Sequence, residues 1–253
     1  MTDTSVSTRY AEGDFVVGRV LNRTFSVLTR NFLTFFTVTA VASLPSVLLS
    51  QSSKFSATAS PEEILSGLGL LFLGIFLALI LYTLSQAVVL YGAFQDMRGH
   101  PVSLTESLQV GLRRFFPIIG VAICMAFVLI FAFLLFIVPG LILMTAWFVA
   151  TPACVVERLG PIRSMGRSRQ LTKGHRWKIF GLMLLLFLIS GIISPTLAVA
   201  LSAMGGETLV MIGNLIWSGI WGAFYAIAAV VAYHDLRAAK EGIDIEQIAA
   251  VFD

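Results

Sequence analysis

The sequence predicts an all-α fold: a polytopic transmembrane helical bundle of about six spans, with amphipathic helices at its cytoplasmic interface. Three observations predict it. Only 12% of the 253 residues are charged and 57% are hydrophobic, whereas a soluble domain carries about 25% charged residues. The charges are gathered into a few segments, which leaves 31–53, 64–95, 115–156, 179–206 and 208–234 without any Asp, Glu, Lys or Arg. Each run exceeds the roughly 20 apolar residues that a membrane helix needs. Finally, when the runs are read as helices that satisfy their own backbone in lipid, nearly all Lys and Arg fall on one side. The two-residue alternation of a membrane β-barrel is missing.

The elements follow in order. Residues 1–14 form a polar arm with no apolar core after a basic start, so a cleavable signal peptide is not expected. The transmembrane domain is expected over 15–234. Its first segment places Arg19, Arg23 and Arg30 on one helical face, with Val17, Leu21 and Leu28 opposite, as in an interfacial amphipathic helix. Span one is expected near 31–50. Ser60-Pro61-Glu62-Glu63 reads as a helix cap that leads into span two, near 66–92. Ser103-Leu-Thr-Glu106 is a capping box followed by the apolar stripe Leu104, Leu108, Leu112 and Phe115.

The run 115–156 is too long for one span. Its 42 residues would make a helix of roughly 63 Å, about twice the hydrocarbon thickness. Pro139-Gly140 is a turn signal inside it, so spans are expected at 116–138 and 141–156. The second of these is short and contains Pro152, which leaves crossing and re-entry both open. Spans five and six are expected near 179–200 and 208–233. The cytoplasmic tail, 235–253, reads as a helix stopped by Gly242, then a short amphipathic helix begun by Asp244 with Ile245, Ile248 and Phe252.

This count puts sixteen of the 17 basic residues on one face of the membrane, with Lys54 alone on the other. By the positive-inside rule both termini are then cytoplasmic. Without the turn at Pro139-Gly140, the most basic segment would be forced outside. The junctions also rhyme: Arg30-Asn31-Phe32, Arg113-Arg114-Phe115 and Arg176-Trp177 each precede a pair of spans. Either the chain is a degenerate threefold repeat of interfacial helix plus hairpin, or any cytoplasm-to-membrane junction looks basic and then aromatic.

Chemistry is sparse. The span interiors hold no Asp, Glu, Lys or Arg, the residues that mark proton relays and ion paths. Gln86 and Asn214 are the notable polar residues, and an interhelical hydrogen bond is the default role for each. Ser218/Gly222, Gly219/Ala223 and Gly74/Ala78 are small-residue pairs suited to close helix packing. Trp217 and Trp221 share a face and read as packing residues. Cys124 and Cys154 read as small apolar residues. His100, His175 and His234 show no metal-ligand spacing. No phosphate-binding glycine loop, zinc-protease motif or nucleophile elbow occurs. No catalytic residue, cofactor or metal is therefore expected. The pI near 9.1 follows membrane topology and does not point to nucleic acid.

One segment stands out. Residues 157–178 carry seven of the 17 basic residues and one acid, Glu157. Clusters of this size beside a span attract anionic lipid headgroups. The candidate contacts are Arg163, Arg167, Arg169, Lys173, Arg176 and Lys178. Arg169, Lys173 and Arg176 share a face only if the helix continues past Lys173, against which Gly174 argues.

Two stretches carry a resemblance. One runs from Pro139-Gly140 through Pro152-Ala-Cys-Val-Val-Glu157 to Ser168-Arg-Gln-Leu171-Thr172-Lys173-Gly174. The other is Asp235-Leu-Arg237-Ala-Ala-Lys240-Glu241-Gly242 with the preceding Tyr233-His234. Both resemble the membrane domain of bacterial glycerophosphoryl diester phosphodiesterases and its stand-alone bacterial relatives. The resemblance implies a multi-pass protein of the bacterial inner membrane. It does not imply the phosphodiesterase activity, which in fused relatives belongs to a separate soluble barrel of about 250 residues. The expected function is thus a non-catalytic membrane protein that contacts anionic lipids or a partner protein, including a second copy of itself, through its basic cytoplasmic segment. The alternative is a transporter or channel for a small or lipidic solute.

Overall fold

The computed structural model describes residues 15–52 and 61–241. It is an all-α bundle: α1 (Val17–Arg30), α2 (Phe32–Ser52), α3 (Pro61–Met97), α4 (Leu104–Leu135), α5 (Ile137–Trp147), α6 (Ala150–Val156), α7 (Pro161–Thr172), α8 (Arg176–Gly205) and α9 (Glu207–Glu241). Among the described residues, six segments are long and apolar enough to cross a membrane: Phe32–Leu49, Gly67–Met97, Leu104–Leu135, Ile137–Val156, Arg176–Gly205 and Glu207–Glu241. The chain is a multi-pass membrane protein. Lys54, Ser60, Gly242 and the expected helix begun by Asp244 lie outside the described residues, as does the arm 1–14.

Packing follows membrane logic, in which small residues let helices approach while large apolar ones face lipid. At the start of α4, Ser107 and Gly111 are buried, whereas Leu104, Leu108 and Leu112 are exposed. The capping box forms, with Ser103 Oγ accepting from the Glu106 backbone N–H. The amphipathic segment is nevertheless continuous with span three. A separate interfacial helix therefore exists before the first hairpin (α1) and before the third (α7), but not before the second.

The turn between spans three and four differs from the expectation. The chain breaks at Phe136, which is extended with φ −158°, rather than at Pro139-Gly140. Pro139 instead occupies the first turn of α5, where a missing N–H costs nothing. Gly140 is needed for close approach: a Cβ there would lie 2.5 Å from Phe133 Cδ1. The fourth span is α5 plus α6, interrupted at Phe148-Val149. Its twenty residues give about 30 Å, enough to cross. Half of them are buried, so this span is central.

The other central helix is α9. Its residues Ala226–Leu236 are all buried, and α1 packs on them with Val20, Thr24, Val27 and Leu28. α9 runs unbroken to Glu241, the residue before the helix stop expected at Gly242. The described turns at the opposite end, Phe136 and Gly206, contain no Lys or Arg. The bundle thus has one basic end.

Candidate functional site

The basic end is organised around α7. Ser164, Ser168, Leu171 and Thr172 form its buried face. The break after α5 leaves the Ala146 carbonyl without a helical partner, and Ser168 Oγ and Thr172 Oγ1 donate to it at 2.8 and 3.2 Å. The edge of this face reaches α9 through Arg167, four residues before Leu171. Arg167 Nε donates to both carboxylate oxygens of Glu157, at 2.8 and 2.9 Å, and its Nη2 donates to Glu241. Arg237 Nε donates to the other oxygen of Glu241 at 2.8 Å. The Tyr233 hydroxyl donates to Glu157 at 2.7 Å. Burial pulls the Arg167 guanidinium down, but the hydrogen bonds and charges of Glu157 and Glu241 outweigh it and raise it above the usual arginine value.

This network sorts the candidate headgroup contacts. Arg167 is committed to two carboxylates within the protein. Arg163 is exposed near the start of α7 and pairs with no described residue. Lys178 is exposed on the first turn of α8. Arg169, Lys173 and Arg176 do come together, though by a turn rather than a continued helix. The helix ends at Thr172, Lys173 is extended, and Gly174 takes φ +92°, a left-handed conformation that favours glycine. The result is an open recess of about 650 Å³ lined by these three basic residues with Gly166, Gln170 and Gly174. A Cβ at Gly174 would lie 4.0 Å from Lys240 Nζ, so a fourth cation borders the turn. Its place in the 235–242 stretch of the sequence gives no sign of this.

Charged residues elsewhere at the basic end act as anchors, the family-like Asp235 among them. Asp235 accepts from Arg23 of α1 at 3.1 Å, and Arg23 also lies 3.4 Å from His234 Nδ1. Asp96, at the end of α3, accepts from Arg30 at 2.6 Å and from Asn31 at 2.7 Å. Arg114 donates to the Arg158 carbonyl at 3.3 Å. Arg176, the corresponding residue of the third junction, has no hydrogen-bond partner at its buried Nε.

A second feature lies deeper. Between α2, α3 and α9 is a cavity of about 640 Å³ whose wall includes Gln86, Tyr82, Tyr225 and Trp221. A smaller one, of about 220 Å³, shares Leu79, Tyr82, Gln86 and Tyr225 with it. Gln86 Nε2 donates to the Gly222 carbonyl at 3.4 Å, which makes it the interhelical link expected of it. Asn214 lines neither cavity. Among the described residues no group of three His, Cys, Asp or Glu is placed to hold a metal ion.

No curated protein and no solved structure matches the chain. Residues 102–236 match one family, and that stretch runs from the residue before Ser103 through α8 to the buried Leu236 of α9, taking in α7 and its anchors. The chain belongs to the family described as Domain of unknown function (DUF7847).

Proposed function

We propose that this is a non-catalytic protein of the bacterial inner membrane, with both ends in the cytoplasm, that holds an anionic lipid headgroup in the recess formed by Arg169, Lys173 and Arg176. The observation that carries the reading is the contrast among the three junction arginines. Arg30 and Arg114 are satisfied by protein acceptors, while Arg176 keeps a buried, unpartnered Nε beside two further cations. Arg169 and Lys173 make no ion pair with any described residue. The recess also sits at the N-terminus of α8, where the helix dipole and free N–H groups favour an anion. Near an anionic leaflet each base contributes about 1 kcal/mol. The resemblance to the phosphodiesterase membrane domain supports only the membrane part of this reading; no phosphodiester cleavage is proposed.

The test replaces Arg169 and Lys173 by glutamine and compares retained phosphatidylglycerol and cardiolipin by native mass spectrometry, with Arg113→Gln/Arg163→Gln, two exposed bases outside the recess, as the charge-matched control. The Arg169→Gln/Lys173→Gln variant is expected to lose bound anionic lipid, most clearly at low salt, and Arg113→Gln/Arg163→Gln to lose much less. An unchanged lipid complement in a folded Arg169→Gln/Lys173→Gln variant would reduce the segment to a topology signal. The rival reading, a transporter or channel, draws on the cavity at Gln86. The lack of charge in the span interiors argues against ion coupling.

A further inference from the structure

We infer that the cavity between α2, α3 and α9 binds a neutral, flat, carbonyl-bearing lipid of the quinone class. The inference is independent of the headgroup site. Depth comes first. Ten residues of continuous helix separate Gln86 from Asp96 on α3, and ten separate Tyr225 from Asp235 on α9, in each case about 15 Å of rise. With the charged rows at the membrane surface, these polar groups sit near the middle of a hydrocarbon core of about 30 Å. The headgroup of a glycerolipid does not reach that level; the ring of a prenylated quinone does.

The chemistry of the wall narrows the occupant. It contains no Asp, Glu, Lys, Arg or His, so a charged ligand would enter uncompensated. Tyr82 and Tyr225 both line the cavity, Tyr82 with half of its surface exposed, and neither hydroxyl makes a hydrogen bond to any described residue. A phenol at this depth without an acceptor is costly, and two such donors fit a ligand with two carbonyl oxygens. Trp221 supplies a planar face, held by stacking against Trp217 and Phe224 at centroid distances of 5.5 and 5.9 Å. Ile75 and Leu79 line the same cavity and are also exposed on the outside of the bundle, which leaves a lateral route for an isoprenoid tail.

The experiment titrates short-chain ubiquinone into the full protein in nanodiscs of neutral phospholipid and follows quenching of tryptophan fluorescence. Saturable quenching is expected. The Tyr82→Phe/Tyr225→Phe variant keeps ring volume and removes both donors; it should weaken the apparent affinity about tenfold, the equivalent of two modest hydrogen bonds, with an unchanged unfolding midpoint. Arg169→Gln/Lys173→Gln should bind quinone as the wild type does, so this site and the headgroup site fail separately. Linear, non-saturating quenching that is the same in wild type and the tyrosine variant would mean partition into the bilayer and would overturn the proposal. Equal competition by a saturated alkyl lipid without carbonyls would do the same, marking the cavity as an acyl-chain groove.

Discussion

Arg167 ties three parts of the basic end together: its own helix α7, the α6 terminus at Glu157 and the α9 terminus at Glu241. All three side chains are less than a quarter exposed, so removing the cation strands two partly desolvated carboxylates. Arg167→Gln is expected to lower stability in detergent by about 2 kcal/mol, below the range for a fully buried pair. Neutralising Glu157 and Glu241 alongside it should recover part of the loss, as a thermodynamic cycle would report. Additive losses would show that Arg167 acts alone. Such a role was not legible in the sequence, where Arg167 looked like one base among seven. Its partners are 10 and 74 residues away, and only the folding of α9 back beside α7 reveals that it faces inward. The opposite holds for Ser103 and Glu106, whose capping box is local and reads directly from their spacing.

At the scale of elements, the small residues of α9 decide how closely it meets α2. Thr39 Oγ1 donates to the Gly219 carbonyl at 2.6 Å. A Cβ at Gly219 would lie 2.9 Å from Phe36 and 3.0 Å from the Ala40 Cβ, which cannot rotate away. One at Gly222 would meet Thr39 at an ordinary 3.5 Å. Gly219→Ala should therefore cost about 1–3 kcal/mol by overpacking, and Gly222→Ala close to nothing. Equal unfolding midpoints for the two variants would remove the claim that Gly219 sets the contact. The small-residue spacing pointed to close packing but did not say which glycine was at the crossing point. The turn between spans three and four shows the same limit. Pro139-Gly140 correctly divided the long run, but the break moved to Phe136 because proline is tolerated in the first turn of a helix and Gly140 was needed against Phe133 instead.

At the scale of the whole molecule, topology rests on crossings that can be counted chemically. Lys54 lies between spans one and two, and Arg163 between spans four and five, so three crossings separate them if 137–156 traverses the membrane. The positive-inside rule expects the side that gathers sixteen of the 17 bases to be cytoplasmic. In a background with Cys124 and Cys154 replaced by serine, Lys54→Cys should react with an impermeant maleimide on intact cells. Arg163→Cys, exposed in the structure, should react only after permeabilisation. The possible failures differ in meaning. Reaction at Arg163→Cys alone would reverse the orientation and keep the span count. Reaction at both would leave an even number of crossings between them and make 137–156 re-entrant. That outcome has a structural cost: α5 and α6 together are about 30 Å long, and α6 is packed against α4 and α7 at the basic end. A re-entrant path would have to break those contacts and return Phe136, with the flanking ends of α4 and α5, to the side it left.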